Sequence, residues 1–276
     1  MYRFFVDRQQ IDEEQGRIRI IGEDIRHIRN VLRMKQGEQL LLCTGRADDP
    51  WDYLCEIDYG GKAAPGDSCL EAVILEKRLS EAELSSEIIL FQGLPKADKL
   101  ESILQKSVEL GVSAVAPVMM KRTIVRLDEK KAKNRNERWN AIALSAAKQA
   151  KRGVIPPVLP LLSWKEALEK AVSCRHILVP YESAEDISYT RNAIESVKAG
   201  ESVAVFIGPE GGFDPGEIRD LKEAGARIIT LGHRILRTET AGPALRAALM
   251  LHLERSRGLM YSPGSADAVS GTLKQA

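Results

Sequence analysis

The chain has 276 residues, with 40 Lys and Arg against 39 Asp and Glu and a formal net charge of +1. That length allows one large domain or two small ones around a sizeable core. The charge balance excludes a polycation, and no apolar run is long enough for a membrane span. The opening MYRFFVDRQQ lacks a signal core, so a soluble, cytoplasmic protein without a membrane partner is expected.

In chain order, the first part is strand-rich, with strands predicted over 17–21, 39–44, 51–57 and 70–76 and Gly/Asp/Pro turns between them. One helix, over 23–33, interrupts them. It carries Arg26, Arg29 and Arg33 at i, i+3 and i+7 with no acid among them. Such a row of guanidiniums is either a solvated face or a phosphate-binding stripe. Residues 76–87 (EKRLSEAELSSE) read as a linker. From 88 onward strands and helices alternate, which predicts an α/β domain: strand 88–92, helix 97–110, strand 112–119, helix 136–151, strand 176–180 and helix 187–197. The cysteines Cys43, Cys55, Cys69 and Cys174 show no C-x-x-C pairing and predict free core thiols. The four histidines are scattered, and no metal site is expected.

The pattern is sharpest between Val203 and Glu254. Val203–Ile207 is a short run suited to a strand buried on both faces. It opens into Gly208-Pro-Glu-Gly-Gly-Phe213. Asp214 then stands at an N-cap, Pro215 at the first helical position and Glu217 at capping-box spacing. A second strand over 227–231 leads into Gly232–Arg237, and a last helix over 240–257 carries Leu245, Leu249 and Leu253 on one face. Two glycine-bearing loops thus fall at the carboxyl ends of neighbouring strands, where open α/β sheets bind ligands. The first loop is neither a Walker A, since no Gly-Lys-Ser/Thr follows, nor a dinucleotide fingerprint, because Gly208, Gly211 and Gly212 are spaced G-x-x-G-G. The segment 92–152 holds 14 Lys/Arg against 6 Asp/Glu, so a basic sector lies beside the ligand-binding one. A nucleic-acid-modifying enzyme needs that arrangement.

GPEGGF followed by LGHRILRTETA resembles the small-subunit ribosomal RNA uridine-N3 methyltransferases, the RsmE family of the SPOUT superfamily. The resemblance extends to Gly93–Val112, to the 139–156 stretch ending AAKQAKRGVIP, and to Ile25–Glu38, and it covers the chain from Arg3 to about Arg257. It implies a PUA-like RNA-binding β-barrel over 1–78 and a SPOUT α/β methyltransferase domain with a trefoil knot over 87–258; composition makes 79–86 between them a linker and predicts a disordered tail over 259–276. It also implies S-adenosylmethionine as cofactor, 16S ribosomal RNA of the small subunit as partner, and a homodimer.

The cofactor residues implied are Pro180, Tyr181, Glu182, Gly208, Glu210, Gly211, Gly212, Leu231, Gly232, Ile235, Leu236 and Thr240. RNA contacts are expected at Arg3, Arg26, Arg29, Arg33, Lys96, Lys99, Arg122, Lys148 and Arg152. Uracil N3 is protonated at neutral pH and lies on the pairing edge, so the base must be unpaired and its proton accepted. Arg237 and Glu239 are the first candidates for catalysis, with Glu210 a second proton acceptor. They can equally form a local salt pair. A SPOUT ribose 2′-O methyltransferase is one alternative, although Thr238-Glu239-Thr240 stands where those relatives carry an asparagine–serine pairing. A non-catalytic RNA-binding ribosome-assembly factor is another.

Overall fold

The computed structural model describes residues 1–60, 69–182 and 186–260. Its first part is a curled six-stranded sheet built from β1 (Arg3–Phe5), β2 (Ile11–Asp12), β3 (Arg17–Ile21), β4 (Gln39–Cys43), β5 (Trp51–Asp58) and β6 (Cys69–Leu79). The order is β1-β4-β5-β6-β3-β2, with β1 parallel to β4 and the remaining pairs antiparallel. Alternate residues such as Ile18, Ile20, Leu40, Leu42, Tyr53, Cys55 and Ile57 turn inward and fill a separate core.

The helix expected over 23–33 is not regular. A single turn, α1 (Glu23–Arg26), runs into a π-helical turn at His27–Val31, and Arg33 has φ +52°. The 3.6-residue spacing on which one arginine row depends is lost there. Arg26 and Arg33 are exposed, whereas Arg29 lies 5.5 Å over the Tyr59 ring.

The second part is a parallel six-stranded sheet of β7 (Ile88–Gly93), β8 (Ala114–Met119), β9 (Leu162–Ser163), β10 (His176–Pro180), β11 (Val203–Ile207) and β12 (Arg227–Ile229), in the order β12-β10-β11-β7-β8-β9. Helices cover both faces. Leu90 and Val205 face α2 (Lys99–Glu109), α3 (Glu129–Gln149), α5 (Ile187–Glu195) and α7 (Thr238–Met260). Their neighbours Phe91 and Phe206 stack at 4.6 Å beneath α4 (Trp164–Ala171) and α6 (Pro215–Glu223). Strands covered on both faces must be apolar at every position, and β11 is buried at all five.

Residues 80–87 are pinned rather than loose. Glu83 pairs with Arg152 and accepts the N–H groups of Gly153 and Val154, and Ser86 donates to Lys198. The α7 helix continues to Met260, past the limit expected for it; of the expected tail, 261–276 lie outside the described residues.

Candidate active site

The parallel sheet sets the site. β12, β10 and β11 are neighbours, so the loops that leave their carboxyl ends meet at one edge. These loops hold Pro180–Glu182, Gly208–Gly212 and Leu231–Leu236. Tyr181 N–H donates to Ile229 O, tying the first loop to the third strand, and Thr190 bonds both the carbonyl and the N–H of Thr230. Thr238, buried at the start of α7, donates to Gly208 O at 2.7 Å and receives Gln92 Nε2 at 2.9 Å. One hydroxyl thereby fixes the last helix to the loop after β11 and to the end of β7.

The glycines are used in different ways. Gly212 and Gly232 have φ of +68° and +102°, which side chains disfavour. Gly211 does not; a Cβ there would stand 3.1 Å from Arg122 Cβ, so its constraint is the close approach of that residue. At Gly208 an added Cβ would meet Gly212 backbone at 3.1 Å, because the loop folds back on itself. Leu231 and Leu236 are half-buried and Ile235 is 85% exposed, leaving apolar groups around an open backbone cradle. A flat adenine and a short zwitterionic chain fit such a cradle. Thr240 is exposed on the first turn of α7, its N–H on Arg237 O.

Charged groups from four segments converge beside it. Lys99 Nζ lies 3.1 Å from Glu210 Oε1 and 3.6 Å from Glu239 Oε2. Arg237 Nη1 is 3.9 Å from Glu239 Oε1, with its own side chain 82% exposed. Glu239 Oε2 is buried and accepts no hydrogen bond among the described residues. Arg122 donates to Gly211 O at 3.0 Å, and Lys96 N–H donates to Glu210. Burial pushes the Glu210 pKa up. Backbone N–H groups of Glu210 and Lys96 and the Lys99 ammonium more than offset that and hold it below the usual carboxylate range. Glu210 is thus a weak base that tethers Lys96 and Lys99.

Two expected RNA contacts fail on burial. The Arg3 side chain is 7% exposed and sits 2.6 Å from Asp52, and Arg152 pairs with Glu83 and donates to the Val108 and Val112 carbonyls. Both charges are spent inside the fold. Arg26, Arg33, Lys96, Arg122 and Lys148 are exposed, Lys99 turns to the acids, and Arg29 lies against Tyr59. Gln92 and Thr238, the two polar groups that join the loops, were not singled out; a glutamine ending an apolar strand was the available signal. Among the described residues no group of acidic, histidine or cysteine side chains is placed to hold a metal ion.

A curled sheet joined to this parallel sheet, with a glycine-built cradle and a basic rim, defines the RNA-methyltransferase class. The model of an RNA methyltransferase domain matches residues 82–250, and that of an RNA methyltransferase PUA domain matches 20–48. Ribosomal RNA small subunit methyltransferase E of Bacillus subtilis is 37% identical over 94% of this chain and 99% of its own, and that of Mesomycoplasma hyopneumoniae 32% over 87% and 95%. The crystal structure of the Neisseria gonorrhoeae enzyme of that name, bound to S-adenosyl methionine, superposes with a TM-score of 0.72 at 31% identity, over 91% of this chain and 97% of that one. The chain belongs to the ribosomal RNA small subunit methyltransferase E family.

Proposed function

We propose that this chain transfers the methyl group of S-adenosylmethionine to N3 of a uridine in the 16S RNA of the small ribosomal subunit. The relatives' names and the cofactor in the Neisseria structure support the reaction class. The atom modified rests on one observation: the Glu239 carboxylate stands between Lys99, 3.6 Å from Oε2, and Arg237, 3.9 Å from Oε1, with no hydrogen bond on Oε2. Within this reading, 1–78 is the RNA-binding module, 79–86 the connection and 87–258 the catalytic domain with its threaded C-terminal segment. The protein works in the cytoplasm.

The backbone of Gly208–Gly212 and Leu231–Leu236, with Pro180–Glu182, holds the cofactor, which supplies an already activated methyl group and calls for no metal. Lys99, 3.6 Å from Oε2, holds the Glu239 carboxylate in place. Glu239 accepts the N3 proton of a flipped-out uracil as the N3–methyl bond forms and the sulfonium carbon–sulfur bond breaks. The exposed Arg237 reaches the uracil carbonyl oxygen on which negative charge gathers.

Nucleoside mass analysis of 16S RNA from cells with and without the gene tests this directly. We expect one N3-methyluridine, seen as a reverse-transcriptase stop, absent from the deletion strain. Glu239→Ala and Arg237→Ala should lower kcat by about 10²-fold or more, with S-adenosylmethionine affinity within threefold of wild type. An alkali-resistant linkage with normal read-through would transfer the chain to the ribose methylases.

A further inference from the structure

At the opposite end of the parallel sheet, the curled sheet and α3 enclose a cleft of about 360 Å³ lined by Tyr2, Phe4, His27, Leu32, Lys148 and Lys151, among others. Its position follows from Arg152, next to the lining residue Lys151, whose guanidinium holds the carbonyl of Val112 just before β8. The cleft therefore lies at the amino ends of the strands, and the cofactor loops at their carboxyl ends. It is the carboxyl end of the 21-residue α3 that lines the cleft. This is not part of the methyl-transfer site.

The walls combine ring faces with cations, and one acid, Asp24, also lines them. Tyr2 is 52% exposed, and His27 is exposed with its ring edge-on to Phe4 at 5.8 Å. Lys148 has only a 3.9 Å contact with Asp24, and Lys151 is exposed. Among the described residues only Arg33, Ala97 and Lys151 adopt positive φ without being glycine. Two of these three border the cleft, because Arg33 follows the lining residue Leu32.

Both wall segments end in the same way. Arg152 N–H returns to Ala147 O around left-handed Lys151, and Met34 N–H returns to Ile28 O around left-handed Arg33, the π-turn adding one residue. Glycine is the ordinary occupant of that cap position, and a side chain there carries a conformational cost. Two turns that each put a basic residue in glycine's place, on either side of exposed rings, present cations where a merely structural cap needs none. π-turns and left-handed side chains also concentrate at functional sites.

We propose that this cleft binds one unpaired nucleotide of the RNA substrate, remote from the methylated uridine. Its base stacks on Tyr2 and His27, and its phosphates lie between Lys151 and Arg33. Aromatic stacking with flanking cations is the chemistry by which proteins hold splayed RNA bases. The proposal rests on the RNA-methyltransferase reading for its occupant, but its contacts do not depend on which atom is methylated.

The test uses the full chain, a fluorescent ten-nucleotide single-stranded RNA, and a duplex of the same length. Tyr2→Ala should weaken single-strand binding by about tenfold, the worth of one stacked base, and Tyr2→Phe should restore it to within twofold. Lys151→Gly keeps the left-handed backbone and should flatten the slope of log K against log salt by about 0.7, one phosphate on a single strand. Cofactor affinity by calorimetry should stay unchanged in all three. With 16S RNA as substrate, KM should rise and kcat hold. Single-strand affinity and salt slope equal to wild type in both Tyr2→Ala and Lys151→Gly would overturn the proposal, as would a wild-type chain that binds only the duplex. These binding changes in the variants, with a wild type that makes no methyluridine, would leave the cleft standing and remove the reaction assigned above.

Discussion

Among the described residues Arg246 is the largest fully buried side chain, and none of its three guanidinium nitrogens meets an acceptor there. Burial pushes its pKa down to about 9. Gly242, one turn earlier, makes the space, since a Cβ there would lie 3.2 Å from Arg246 Nη1. Gln92, whose Oε1 is also unfilled, stands in register with Ile207, beside the same space. A buried charge without a partner opposes folding, and replacing it by an apolar group of similar length is commonly stabilising. Arg246→Met is therefore expected to raise stability by about 1–4 kcal/mol. By calorimetry that is a rise of roughly 2–4 °C in Tm per kcal/mol. A lower Tm would show that the folded protein supplies this cation with an anion. Charges also mark the limit of what single residues disclose in sequence. Arg3 and Arg152 read as RNA contacts because an arginine looks the same facing water or facing Asp52 and Glu83. Lys99 read the same way, and only the fold shows it between two acids.

At the scale of elements, the join between β11 and α7 depends on Thr238, which meets both Gly208 O and Gln92. Thr238→Val keeps the shape and removes the hydroxyl. The half-buried Gly208 O then loses its donor, at up to about 1–3 kcal/mol, while Gln92 Nε2 keeps the Gly93 carbonyl at 3.0 Å. The loop after β11 is no longer tied to the helix that carries Glu239. We expect a lowered Tm together with at least tenfold weaker S-adenosylmethionine binding by calorimetry. Thr238→Ser should recover the affinity, and wild-type affinity in the valine variant would show that the loop holds its shape unaided. The strand–loop–helix units here were legible because punctuation marks them: Asp214 and Glu217 form the capping box, Pro215 opens α6 and Gly225 follows its end. Elements without such marks were not. The first two turns of α3 are polar and exposed, so no apolar period announces them, and Asp128 caps a helix that was expected to begin seven residues later. The π-turn at His27 inserts a residue that a 3.6-residue period cannot represent. The capping box of Ser163 and Glu166 at α4 was there to be read and was passed over.

The whole molecule is expected to be a homodimer. Leu245, Leu249 and Leu253 leave no surface for it: each is at most 1% exposed, packed with the sheet residues of the main core. What α7 leaves outward is Leu251, 67% exposed, while the loop before it leaves Ile235 at 85%. Two large apolar side chains presented by the cofactor loop and its following helix invite a two-fold contact, the commonest closed assembly. Burying Ile235 against a second copy would also close the apolar side of the cradle. Sedimentation equilibrium should give about twice the 30.5 kDa of one chain. Leu251→Glu should shift it to the monomer without changing far-UV circular dichroism. If the cradle is completed across the contact, that monomer should also bind S-adenosylmethionine at least tenfold more weakly. A wild-type chain that sediments as a monomer at every concentration while methylating RNA would refute the dimer. A Leu251→Glu monomer with unaltered affinity would keep the dimer but confine each cradle to a single chain.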